Sequence, residues 1–177
     1  MSLKKVILYS AMSLDGFIAR ENGDVSWLDE VAHPEGEDYG YHQFYDGVDI
    51  TIMGNNTYNQ VKSFGVEFPY KATTNYVFTS QKQLKDNQDV KYISTDHIEF
   101  VQDLKKQGGK NIWLIGGGAL NNFFLINDLI DEMILHTMPV VLGAGIPLFG
   151  KFENTAPIEL LGHRAFEGGV VEQRYRF

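Results

Sequence analysis

The sequence predicts an α/β fold: a largely parallel central sheet, helices on both faces, and a C-terminal antiparallel hairpin. Three observations carry that reading. Short apolar runs alternate with segments of helical spacing through most of the chain. Two of the runs pass straight through glycine into a helical segment, at Gly54 and at Gly116-Gly117-Gly118. The chain then ends in two strand-like runs joined by Glu167-Gly168-Gly169, a glycine-containing hairpin turn.

Taken in order, Lys4–Ser10 (KKVILYS) reads as a buried strand, followed by a long loop punctuated by Asp15-Gly16 and Asn22-Gly23. Glu37–Asp46, with Tyr41, Phe44 and Tyr45 at helical spacing, reads as a helix. Asp49–Met53 is a strand ended by Gly54, and Asn55–Lys62 is a short helix. Asn75–Thr79 and Val90–Ser94 are strands. Phe100, Val101 and Leu104 mark a helix from Asp96 to Gln107, stopped by Gly108-Gly109. Asn111–Ile115 is a strand running into the glycine triplet, and Ala119–Asp128 is a helix. Glu132–Leu142 reads as a long strand interrupted by Pro139, where an edge, a bulge or a strand end is expected. Ile158–Phe166 and Val170–Phe177 form the hairpin. No repeat, linker or low-complexity stretch divides the 177 residues, so a single domain over 1–177 is expected.

Composition removes whole classes of function. The chain has no cysteine, which excludes a disulfide scaffold, a thiolate zinc site and a thiol nucleophile. A net charge of −8 argues against a nucleic-acid partner. No apolar run approaches the ~20 residues of a membrane span, and no secretory leader pattern opens the chain. A soluble cytoplasmic protein is the expectation. The charge is also uneven: residues 1–50 hold ten acids against three bases, which is −7 of the −8. Such an excess is either a solvated surface or an acidic rim beside a site.

Ligands of parallel sheets bind beyond the carboxyl ends of the strands, so the loops there are the places to search. Ile115-Gly116-Gly117-Gly118-Ala119-Leu120 joins an apolar strand to a helix. Its glycines let backbone approach a pyrophosphate, and the helix start offers free N–H groups. The full G-x-G-x-x-G spacing is missing, so no standard dinucleotide fingerprint is present. Met53-Gly54-Asn55-Asn56-Thr57-Tyr58 repeats the strand–glycine–helix pattern, although helix capping accounts for it equally well. Thr79-Ser80-Gln81-Lys82 suits a phosphate or a ribose, and equally a polar turn. The histidines, His33, His42, His97, His136 and His163, lack metal-ligand spacing, and no metal site is expected. There is no G-x-S-x-G elbow and no P-loop.

Six segments, in order and covering nearly the whole chain, resemble the dihydrofolate reductase superfamily. They are Ser13-Leu14-Asp15-Gly16-Phe17-Ile18-Ala19, Asp24-Val25-Ser26-Trp27-Leu28, Ile52-Met53-Gly54-Asn55-Asn56-Thr57-Tyr58, Val77-Phe78-Thr79-Ser80, Ile115-Gly116-Gly117-Gly118 and Pro139 through Phe149. The branch they look most like is the riboflavin-biosynthesis reductase, or RibD C-terminal, domain. The resemblance implies a three-layer dihydrofolate reductase-like fold, NADPH as cofactor, a small-molecule substrate and a homodimer, for which Glu132–Phe149 is the candidate surface. It assigns Gly54, Asn55, Asn56 and Thr57 to the cofactor's phosphates and Thr79 and Ser80 to the 2′-phosphate side. Ile115, Gly116, Gly117, Gly118, Ala119 and Leu120 would wrap the middle of the cofactor. Ala11, Ile18 and Trp27 would lie near the nicotinamide, with Asp15 through Trp27 as a lid.

The implied activity is reduction of a pyrimidine- or pterin-type heterocycle. Its nearest named form is 5-amino-6-(5-phosphoribosylamino)uracil reduction. A nucleotide-binding protein without reductase chemistry and a dihydrofolate reductase are the rival readings. Asp15, the one acid inside the strong motifs, is the candidate proton donor, and it is also an ordinary turn-forming Asp-Gly. The chain departs from its relatives at Asn55, where many carry arginine for the 2′-phosphate. It also lacks the acid that riboflavin reductases tend to carry before the glycine turn, having Leu114-Ile115-Gly116 there. An acidic rim from residues 1–50 would disfavour a phosphorylated substrate.

Overall fold

Fifteen segments of regular structure follow one another in the computed structural model, which describes residues 3–153 and 155–177. The strands are β1 (Val6–Ser13), β2 (Phe17–Ala19), β3 (Val48–Gly54), β4 (Thr74–Phe78) and β5 (Lys91–Ile93), then β6 (Asn111–Gly116), β7 (Glu132–Met138), β8 (Ile146–Pro147), β9 (Glu159–Ala165) and β10 (Val171–Arg176). The helices are α1 (Tyr41–Asp46), α2 (Asn55–Ser63), α3 (His97–Lys106) and α4 (Gly118–Ile126), with a 3₁₀ turn at Ser26–Glu30. Eight strands make one sheet in the order β5-β4-β3-β6-β1-β7-β10-β9. The first six are parallel, and β9 and β10 add the expected antiparallel hairpin.

Alternation along the strands divides the core into two faces, because successive side chains of a strand point to opposite sides. On one face Val6, Leu8, Ile50, Ile52, Ile112 and Leu114 pack with Val101 and Leu104 of α3 and Phe124 and Leu125 of α4. On the other, Met53 and Val77 pack with Tyr58 of α2. Tyr9, Phe44 and Trp113 form an aromatic cluster there, with Tyr9 and Phe44 stacked at 4.1 Å. Trp27, Val31, Met138, Phe166 and Val170 close the end near the hairpin. The sheet is therefore a middle layer, as the α/β reading requires.

Several boundaries differ from the sequence reading, each for a local reason. The Glu37–Asp46 helix shrinks to α1, because Asp38 spends its carboxylate on the N–H groups of Gly40 and His42 at 2.8 and 3.0 Å. Gly40 takes a φ of 79°, outside the helical region. The Glu132–Leu142 strand stops at Met138, one residue before Pro139, which has no N–H for a ladder. The loop after β1 contains the unexpected β2, paired antiparallel with β8. Of Glu132–Phe149, expected to pack between subunits, β7 has both edges bonded within the chain, to β1 and β10, and the segment after it holds β2 while leaving Val141 exposed.

Candidate functional site

Parallel strands all deliver their carboxyl ends to one edge of the sheet, and two of them here run directly into helices. Strand β3 passes through Gly54 into α2, and β6 passes through Gly117 into α4. Both glycines are extended N-caps, with φ of −76° and −77°, and neither helix has a side-chain cap. The first-turn N–H groups of both helices are therefore free of side-chain partners, and each helix presents its positive dipole end. The two starts abut: a Cβ built on Gly117 would stand 3.3 Å from Thr57 Oγ1.

These starts form the floor of a groove of about 1270 Å³ that runs along the carboxyl edge. Gly54, Asn55, Asn56, Thr57, Ile115, Gly117, Gly118, Ala119 and Leu120 line it. Thr79 and Ser80 line one end, where Thr79 Oγ1 accepts the Gln81 N–H at 3.1 Å. Ile18 lines the opposite wall.

The sequence reading missed several groove residues. His97 opens α3 beside Phe78, ring on ring at 4.5 Å, with Nε2 2.9 Å from the Ile93 carbonyl oxygen, so Nε2 carries the proton and donates. Gln60, Ser63 and Phe64 continue α2 along the groove. Their spacing from Asn56 and Thr57 follows one helical face, a signal that was available in the sequence. Gln60 Nε2 donates to the Gly23 carbonyl and so ties α2 to the loop after β2. That loop brings Glu21 and Asp24 to the groove, and the Ser26 hydroxyl on Asp24 holds its carboxyl below the usual range. Among the described residues lining the groove there is no Lys or Arg.

Four expected residues lie elsewhere. Trp27 is fully buried among Val31, Met138 and Phe166, and Ala11 packs against the same cluster. Gly116, at a φ of 108°, turns toward Asn121, whose Oδ1 would stand 2.9 Å from a Cβ there. Asp15 faces the turn instead of the groove. It accepts from the Ser13 hydroxyl at 2.6 Å and from the Leu142 and Gly143 N–H groups at 3.1 and 2.7 Å. The Ser13 hydrogen bond first, then those backbone donors, pull its pKa down to about 2. With both oxygens spent inside the turn and no place in the groove lining, Asp15 stands as a turn residue and not beside the groove where a proton donor would be needed.

Bonded in this way, Asp15 fixes the wall of the groove. Ser13 Oγ accepts the Phe17 N–H at 3.0 Å, and Leu148 N–H reaches the Gly16 carbonyl at 3.0 Å. Gly118 and Gly145 then let β8 pass against α4 and β2: a Cβ at Gly118 would collide with the Pro147 carbonyl oxygen, and one at Gly145 with that of Ala19.

Comparison with known proteins agrees with this architecture. The chain is 44% identical over 173 residues to the Bacillus subtilis protein YwjB, covering 97% of each. A Shewanella sp. PV-4 protein named for riboflavin biosynthesis superposes with a TM-score of 0.87 at 31% identity, covering 97% of this chain and 98% of that one. Enterococcus faecalis dihydrofolate reductase, solved with NADP(H), has the same fold, with a TM-score of 0.68 at 16% identity and coverage of 99% and 97%. The RibD C-terminal domain model matches residues 4–171, a span that contains every residue lining the groove, and the chain belongs to that family.

Proposed function

We propose that this protein is an NADPH-dependent reductase of a small planar heterocycle of the pyrimidine or pterin type. Among reductases of this fold the nearest named activity is reduction of 5-amino-6-(5-phosphoribosylamino)uracil. The observation that carries the proposal is the pair of uncapped helix starts, α2 and α4, opening side by side onto one groove. Such starts suit a pyrophosphate without any cationic side chain. Gly117 fits as well, since its missing side chain leaves open the space beside Thr57 that a cofactor would use.

Bound there, a reduced nicotinamide would supply hydride to a C=N or C=O carbon. The chain's part is positioning. N–H groups of Asn55, Asn56 and Thr57, and of Gly118, Ala119 and Leu120, would hold the anionic centre. Ile18, Ala19 and Ile115 would give the ring an apolar seat that excludes water. Ser80 and Gln81 would meet the adenosine end, where Asn55 replaces the family's arginine.

The test is a melting curve with and without saturating NADPH, on the parent and on Gly117→Val. NADPH should raise the parent's Tm, by about 2.7 kcal/mol of stabilisation at a hundred times Kd. The variant, whose φ of −77° suits valine, should melt cooperatively and show no NADPH shift. A parent without any shift ends the reductase reading. A shift without turnover of any pyrimidine or pterin favours the binding protein.

The homodimer belongs to the same proposal, at a different surface. Strand β9 is the free edge of the sheet beside β10, and Ile158, Leu160 and Leu161 are exposed along it at 42%, 54% and 41%.

A further inference from the structure

We infer that the substrate of this groove is an unphosphorylated heterocycle, neutral or cationic. The inference deepens the reductase reading and rests on it. The groove, at about 1270 Å³, exceeds the roughly 300–1,000 Å³ typical of a pocket for one small ligand. It therefore has room for a dinucleotide and a second small molecule.

Its two ends differ in charge. The floor offers helix N–H groups and suits one polyanion. The far end lies between the loop after β2 and the last turns of α2, and it carries the carboxylates of Glu21 and Asp24 opposite Gln60, Ser63 and Phe64. Arg20 leans on Asp24 at 3.9 Å and on Glu30 at 3.7 Å, so Asp24 is already paired, and Lys62 Nζ sits over the Tyr58 ring at 5.4 Å. A phosphate at that end would face the Glu21 carboxylate, which has no ion-pair partner among the described residues, with no Lys or Arg in the lining. A planar ring, by contrast, finds the exposed Phe64 side chain and the Gln60 amide oxygen, whose nitrogen is held by the Gly23 carbonyl. A protonated or amino-substituted ring gains from the Glu21 carboxylate.

The experiment titrates the protein, with and without saturating NADP⁺, by calorimetry. The probes are 5-amino-6-(5-phosphoribosylamino)uracil and the same ribosylaminopyrimidine without its phosphate. The dephosphorylated compound should bind at least about tenfold more tightly, a gap that one or two close like-charge pairs supply. Glu21→Gln should narrow the gap, and Glu21→Lys should close or reverse it, because Glu21 is an exposed groove residue outside the loop's hydrogen bonding among the described residues. Equal or tighter binding of the phosphorylated compound overturns the inference. So does an unchanged ratio in Glu21→Lys, or failure of both compounds to bind. If NADP⁺ fails to bind while the ratio stands in the free protein, the reductase reading falls and the charge selection survives.

Discussion

At the scale of single residues, this site separates what a motif announces from what its atoms do. Asp15 stands in the strongest local motif, yet it acts as a turn staple, and its low pKa makes that testable. The folded carboxyl titrates at about 2, against ~3.9 in an unfolded chain. A group depressed on folding stabilises above its unfolded pKa and loses that contribution as pH falls through the folded one. Asp15→Asn should therefore lower Tm at neutral pH, with the difference from the parent shrinking between about pH 4 and pH 2. Urea midpoints across that range would measure it, and equal stability at pH 7 would refute the staple. The strand-to-helix turns at Gly54 and Gly117 were legible because their signal is local: an apolar strand running through glycine into a helix start. Ala11 and Trp27 were not, because their burial is decided by Met138, Phe166 and Val170, distant in sequence.

At the scale of elements, long periodic segments were legible and short paired ones were not. Strands β3, β6 and β7 and helices α2, α3 and α4 carry enough apolar periodicity to declare themselves, and of the edge, bulge or end expected at Pro139 the structure shows the end. The three-residue β2 and the two-residue β8 carry no such pattern. They exist because Gly118 and Gly145 permit backbone contacts that a Cβ would block. This ribbon forms the groove wall bearing Ile18, so its fit links packing to binding. Gly118→Ala should push β8 off α4 and cost about 1–3 kcal/mol, the usual penalty for overpacking. NADPH affinity should fall with it, since Gly118 is also the first residue of α4. Thermal unfolding and calorimetry would separate the two losses. A variant with parental Tm would mean that Pro147 yields without cost.

At the scale of the whole molecule, alternation of strand and helix made the layered fold readable, while the order of strands across the sheet was not. That order depends on which strands meet, and residue patterns within a strand do not encode it. The consequence is clearest for assembly. Sequence pattern pointed to Glu132–Phe149, apolar on both sides of Pro139, but the sheet places β7 between β1 and β10 with both edges bonded. Its apolarity serves the interior. Among the described residues the edges of the eight-stranded sheet belong to β5 and β9, and β5 is only three residues long. Strand β9 has seven residues and follows exposed Ile158, with Leu160 and Leu161 in its run and Phe177 nearby at 37% exposure. A long edge with apolar side chains is a template for pairing. A second copy aligned there would satisfy the backbone and cover the leucines, against the mutual repulsion of two chains of net charge −8. Light scattering at micromolar concentration should give a dimer for the parent and a monomer for Leu160→Asp combined with Leu161→Lys. Because both side chains are exposed, the double variant should keep NADPH binding. A parent that is monomeric would end the assembly reading, and a double variant that stays dimeric would move the interface away from β9.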